Sequence, residues 1–148
     1  MVFVVPSLSY LTAHVQYTKI RIMPDQPEWT TEFYVARDGT SPIEAFLDSL
    51  DPKTRARFLW SMEQLRVRNV QAREPLVKHL EDKLWELREE SRTNIYRIIY
   101  FFYAGRRIVF LHGFQKKTQK TPQKELDIAR TRYEDFLSRE EENGGDTP

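Results

Sequence analysis

The spacing of apolar residues changes period several times along the chain, and each change marks an element. From Trp29 to Ala36, Trp29, Thr31, Phe33 and Val35 alternate with Thr30, Glu32 and Tyr34, the two-residue period of a half-buried strand. Arg37-Asp38-Gly39-Thr40 ends it as a turn. Ser41-Pro42-Ile43-Glu44 then predicts a helix start: Ser41 caps, Pro42 suits the first helical position, and Glu44 completes a capping box. This helix shows Ile43, Phe46, Leu47 and Leu50 on one face and stops where Asp51-Pro52 opens a second in the same way. Over residues 52–68, Phe58, Leu59, Met62 and Leu65 recur at helical spacing. Arg55, Arg57, Arg66 and Arg68 lie on other faces, which read as solvated. Residues 70–83, with Pro75 and His79, read as an irregular connector.

The densest apolar stretch comes next. Residues 84–88 alternate as a strand, and a polar turn over 89–93 leads to two arms, 94–103 and 107–115, around Ala104-Gly105-Arg106. This is a hairpin pattern. In its first arm Arg97 shares a face with Ile95, Ile99, Phe101 and Tyr103. In its second, strict alternation sets Ile108, Phe110, His112 and Phe114 opposite Val109, Leu111 and Gly113. With both faces apolar, the hairpin is predicted to be central in its sheet. Pro122 opens a last helix with Leu126, Ala129, Tyr133 and Leu137 as its stripe. The order of strand, two helices, three antiparallel strands and helix predicts an α+β domain. Its small antiparallel sheet carries an N-terminal helical hairpin and a C-terminal helix.

The domain proper is expected over residues 29–138. Residues 1–28 read as an N-terminal extension with strand candidates at 2–5 and 15–22, Met23 as an alternative start, and a fold that survives loss of 1–22. Residues 139–148 are acidic and Gly-bearing, and read as a disordered, solvated tail.

Composition narrows the function classes. At 148 residues the chain suits one domain with a real core. It has no cysteine, and His14, His79 and His112 are too scattered for a metal site, so neither metal nor cofactor is expected. No apolar run is long enough to cross a membrane as a helix, the N-terminus lacks the features of a signal peptide, and a cytoplasmic protein is expected. A Gly-rich phosphate loop, a Gly-x-Ser-x-Gly elbow and a His-Glu-x-x-His pair are all missing.

Charge adds the main clue. The net charge is only +1, yet residues 103–124 hold Arg106, Arg107, Lys116, Lys117, Lys120 and Lys124 with no acidic residue. Such a local excess points to a polyanionic partner. Lys116, Lys117 and Lys120 lie where a strand hands over to a helix, whose amides add to anion attraction. Arg97, mid-strand among apolar neighbours, needs solvent or a carboxylate at its end. Two readings stay open for it: an ion pair with Glu86 or Glu89, or a phosphate contact. Arg88 is in the same position one strand away. His112 reads either as a satisfied core histidine or as a general base.

Leu84-Trp85-Glu86-Leu87-Arg88, Tyr96-Arg97-Ile98 and Leu111-His112-Gly113-Phe114-Gln115-Lys116-Lys117-Thr118-Gln119-Lys120-Thr121-Pro122 resemble the RelE/ParE superfamily of type II toxins. Within it they are similar to the HigB-like, phage-derived branch. The resemblance covers residues 29–138. It implies a toxin that cleaves mRNA, in most members at the ribosomal A site, and a helix-turn-helix antitoxin that neutralises it. Cleavage in that family uses no metal. The ribose 2′-OH attacks the adjacent phosphate to leave a 2′,3′-cyclic phosphate, which needs charge stabilisation, a base and an acid. By position Arg97 carries the strand arginine's phosphate contact, and Lys117 the second phosphate-binding cation. The resemblance thus gives a candidate catalytic set of Arg97, Lys117 and His112, and a phosphate-binding set of Arg88, Lys116, Lys120 and Lys124. Two departures stand out: Gln123 falls near RelE's tyrosine, and Glu86 and Arg88 replace its paired lysines. The base is open among His112, Tyr96 and Lys120. The alternative is the same fold without nuclease activity, as a gyrase inhibitor or an inactive antitoxin-binding member. On this reading Arg97→Ala leaves folding intact and relieves growth arrest.

Overall fold

The computed structural model describes residues 28–144. The strand candidates at 2–5 and 15–22 and the end of the tail lie outside the described residues. The elements are β1 (Thr30–Phe33), α1 (Pro42–Asp48), α2 (Pro52–Arg68), a 3-10 turn (Asn69–Gln71), β2 (Val77–Glu81), β3 (Leu84–Ser91), β4 (Asn94–Tyr103), β5 (Arg107–Lys116) and α3 (Gln123–Gly144). The sheet order is β1-β5-β4-β3-β2. Strands β2 to β5 form an antiparallel meander. Strand β1 pairs in parallel with β5, the helices and the meander serving as the long crossover that a parallel pair requires. The fold is α+β, with the β4–β5 hairpin in the interior of the sheet.

Both helix starts form at the capping residues. Ser41 Oγ accepts from Glu44 N at 3.4 Å, and Asp51 accepts from Thr54 N at 3.0 Å and from the Thr54 hydroxyl at 2.6 Å. Helices α1 and α2 cover one face of the sheet. There Ile43, Leu47, Phe58, Met62 and Leu65 pack on Leu87, Ile98, Tyr100, Ile108 and Phe110. Helix α3 covers the other face, with Leu126, Ala129 and Phe136 on Ile99, Phe101, Val109 and Leu111. Leu59, expected in the α2 stripe, is instead 49% exposed.

Three further expectations are corrected. The connector over 70–83 contains strand β2, whose Val77 pairs with Leu87 and is buried. A bulge between His79 and Glu81 breaks its alternation, so the two-residue period is absent from the sequence. The supposed tail is helical to Gly144. Arg139 pairs with Asp135 one turn back at 2.8 Å, Glu140 pairs with Arg107, and Glu142 pairs with Arg37 at 3.4 Å.

The third correction sets up the site. In the β4–β5 pairing the register slips: Tyr100 faces Phe110 but Ile99 faces His112, leaving Leu111 as the extra residue. Such a bulge flips every later side chain to the other face. His112, Phe114 and Lys116 therefore lie on the α3 face, and Gly113 turns toward α1, against Phe46. Strict alternation would have set Lys116 on the side opposite Arg97.

Candidate anion-binding site

With the register shifted, cations from separate strands share the α3 face. Arg88 on β3 is directly across from Arg97 on β4, and on β5 Phe114 is across from Arg97, with Lys116 two residues beyond. Like charges directly opposite repel, and Glu86 supplies the counter-charge. Its carboxylate lies 3.4 Å from Arg97 Nε and 3.8 Å from Arg88 Nε. Arg97 also donates to the carbonyls of Tyr96 at 2.8 Å and Glu89 at 3.4 Å. The pair is deep: the side chains of Arg97 and Glu86 are only 2% and 1% exposed. Burial lowers the Arg97 pKa, and Glu86 opposes the shift.

Lys116 is also buried, its pKa lowered by desolvation and raised by Glu86, with Arg97, Arg88 and Lys78 adding to the lowering. Lys78, across from Glu86 on β2, is a neighbour that sequence reasoning missed because β2 itself was missed. The second Glu86 oxygen accepts from the buried Thr121 hydroxyl at 2.9 Å. That bond fastens the loop between β5 and α3. Lys116 anchors one end of this loop and Thr121 the other, and Lys117 and Lys120 stand exposed between them. Lys124 is exposed in the first turn of α3. Thr121 was in the quoted motif but carried no expected role.

His112 is placed otherwise. Its Nε2 is 2.8 Å from Glu125 Oε1, and its Nδ1 is 3.1 Å from the Arg132 guanidinium, which also donates to the Leu111 carbonyl. Because a guanidinium can only donate, Nδ1 is the acceptor and Nε2 carries the proton toward Glu125. The ring stacks on Phe114, with centroids 5.5 Å apart. Burial lowers the His112 pKa and Arg132 adds to that, while Glu125 opposes. Both nitrogens are engaged, so in this arrangement the ring has no free position to take a proton from a substrate. Tyr96 packs on Phe46 of α1, the opposite side of the sheet from Arg97.

The structure thus gathers Arg88, Arg97 and Lys116 around Glu86, with Lys117 and Lys120 on a loop pinned to the same carboxylate. The family model described as Phage derived protein Gp49-like (DUF891) matches residues 45–134, a span that includes all of these residues. The chain belongs to this family. No curated protein matches the Gp49-like chain. The family is RelE-toxin-like in kind, in agreement with the resemblance at that level. Among the described residues of the Gp49-like chain, no group of three or more His, Asp or Glu could hold a metal ion. No described helix is long and apolar enough to cross a membrane.

Proposed function

We propose that this Gp49-like protein is the toxin of a type II toxin–antitoxin pair, of the HigB-like branch. On this reading it is a cytoplasmic endoribonuclease that cleaves mRNA on the ribosome without metal or cofactor. A helix-turn-helix antitoxin holds it in check. The observation that carries this reading is the convergence of Arg88, Arg97 and Lys116 on one face, beside a loop presenting Lys117 and Lys120. Fixed cations offset the charge that grows on a phosphate under attack by the 2′-OH, and they do so best where water is scarce. Lys117, Lys120 and Lys124 are the exposed members and meet the backbone first; Lys120 is left as the candidate for proton transfer.

A second reading, an RNA- or ribosome-binding member that does not cleave, draws on different observations. Arg97 is buried and already paired with Glu86, and both His112 nitrogens are taken. Induced expression with mapping of mRNA 5′ ends separates the two. The nuclease reading expects growth arrest with new 5′ ends in translated messages, both reduced by Lys117→Ala/Lys120→Ala. Arrest without new ends favours the second reading, and absence of arrest refutes the toxin assignment.

A further inference from the structure

We propose that Glu86 is a specificity-determining residue: a resident counter-anion that keeps small free anions out of the cationic cluster and reserves it for a polyanion. Three features carry the inference. Glu86 is the carboxylate around which the buried cations gather, at 3.4 Å from Arg97 and 3.8 Å from Arg88, with Lys116 in its field. These contacts are ionic without hydrogen bonds: Glu86 Oε1, Arg88 Nε and Arg97 Nε are buried and make none among the described residues. Donors built to chelate an anion are therefore present with capacity unspent, the Arg97 Nε facing Glu86 alone and Arg88 shared between Glu86 and the exposed Glu74 at 3.5 Å. Third, the same carboxylate accepts from Thr121 and so positions the loop that carries the exposed Lys117 and Lys120.

The consequence follows from electrostatics. A lone phosphate approaching by Arg88, the cation of the buried cluster most open to solvent at 27% side-chain exposure, meets cations whose charge Glu86, with Glu74 on Arg88, already offsets in part. It gains little and is repelled by the carboxylate. A nucleic-acid strand engages Lys117, Lys120 and Lys124 at several phosphates at once, and that summed attraction outweighs one internal negative charge. Glu86 acts as a positioning residue here, through the cations and the loop. The choice of RNA as the polyanion rests on the proposed function above; the exclusion of small anions does not.

The experiment is thermal unfolding of the full chain in inorganic phosphate against sodium chloride of equal ionic strength, together with binding of a single-stranded RNA oligomer. Wild type is expected to show no phosphate-specific shift in Tm. Glu86→Gln keeps an acceptor for Thr121 but removes the charge, and is expected to bind inorganic phosphate about tenfold more tightly, raising Tm in phosphate alone. Glu86→Asp, which keeps the charge, is expected to behave as wild type. Should the buried Arg97 charge make Glu86→Gln unstable, Glu86→Gln/Arg97→Gln removes both members and is expected to retain the phosphate response through Arg88 and Lys116. Equal responses of wild type and the Gln variants overturn the proposal, as does a strong phosphate shift in wild type. If the Gln variants respond to phosphate while wild type binds no RNA, Glu86 keeps its role and the RNA reading falls. If wild type binds RNA and the Gln variants gain nothing from phosphate, the inference alone fails.

Discussion

Arg97→Ala tests the reasoning most directly, because of the two readings its sequence position left open the structure shows the ion pair, with Glu86. The side chain is 2% exposed and its partner carboxylate 1%, so truncation leaves Glu86 as a buried charge short of a partner. Severing a buried ion pair from one side costs about 3–5 kcal/mol. Glu86 retains Arg88 at 3.8 Å and the Thr121 hydroxyl at 2.9 Å, which sets the expectation at the low end, about 3 kcal/mol. For a domain of this size that lowers Tm by about 10 °C. The Tyr96 and Glu89 carbonyls also lose their guanidinium donor. Urea and thermal unfolding of the purified variant measure the loss. Arg97→Gln, Glu86→Gln and the double variant complete a cycle, in which the double is expected to be more stable than the sum of the singles by about 1–3 kcal/mol. A loss below about 1 kcal/mol for Arg97→Ala, or additive singles, refutes the claim that this pair is a buried, coupled unit. Loss of growth arrest in Arg97→Ala therefore reports on folding as well as chemistry, and the expectation that this variant folds normally is replaced.

Three other outcomes follow from the geometry. Gly113→Ala places a Cβ 2.3 Å from Phe46 Cδ2 and under 3 Å from two more ring atoms. Phe58 and Tyr96 hem that ring, so the variant should lose about 3 kcal/mol in unfolding experiments, as overpacked cores do. Much of this should return in a Phe46→Leu background, and an undisturbed Gly113→Ala would refute the close approach. Burial holds the His112 pKa below its ordinary 6.5, so the unfolded chain takes up a proton that the folded one resists. Stability should be full well above about pH 6.5 and fall as the pH drops through it, and His112→Gln should flatten that fall. An unchanged slope in the variant would assign the acid sensitivity elsewhere. Asp51→Ala should cost about 1 kcal/mol of unfolding free energy by removing the α2 cap; the bonds to Thr54 predict it, and a neutral substitution would refute their contribution.

The helices and the hairpin were legible because their signals are local. Ser41 and Asp51 cap with their own side chains the amides three residues on, and the β4–β5 arms repeat apolar residues densely enough to require burial on both faces. Strand β2 was not legible. Of its five residues Val77 alone is fully buried, and the bulge between His79 and Glu81 disrupts the alternation by which a strand is recognised. The end of α3 was hidden for a different reason. A run of Glu reads as solvated until Arg107 and Arg37, distant in sequence, are placed against it.

The candidate site divides the same way. That Arg97 needed either solvent or a carboxylate, with Glu86 among the partners, followed from residue type and position alone, as did the excess of lysine after β5. Which of the two Arg97 would have was decided by its pairing with β3, which sets Glu86 on the same face, and whether Lys116 would meet it depended on one inserted residue in β5. The bulge at Leu111 is set by pairing with β4, a contact between strands that no local pattern encodes. It turns His112, Phe114 and Lys116 to the α3 side, where Glu86, Arg97 and Thr121 already lie. The sequence determined which charges the chain carries and which elements bear them; tertiary pairing decided which face they share, because a side chain's face in a sheet is a property of register and only the partner strand can fix it.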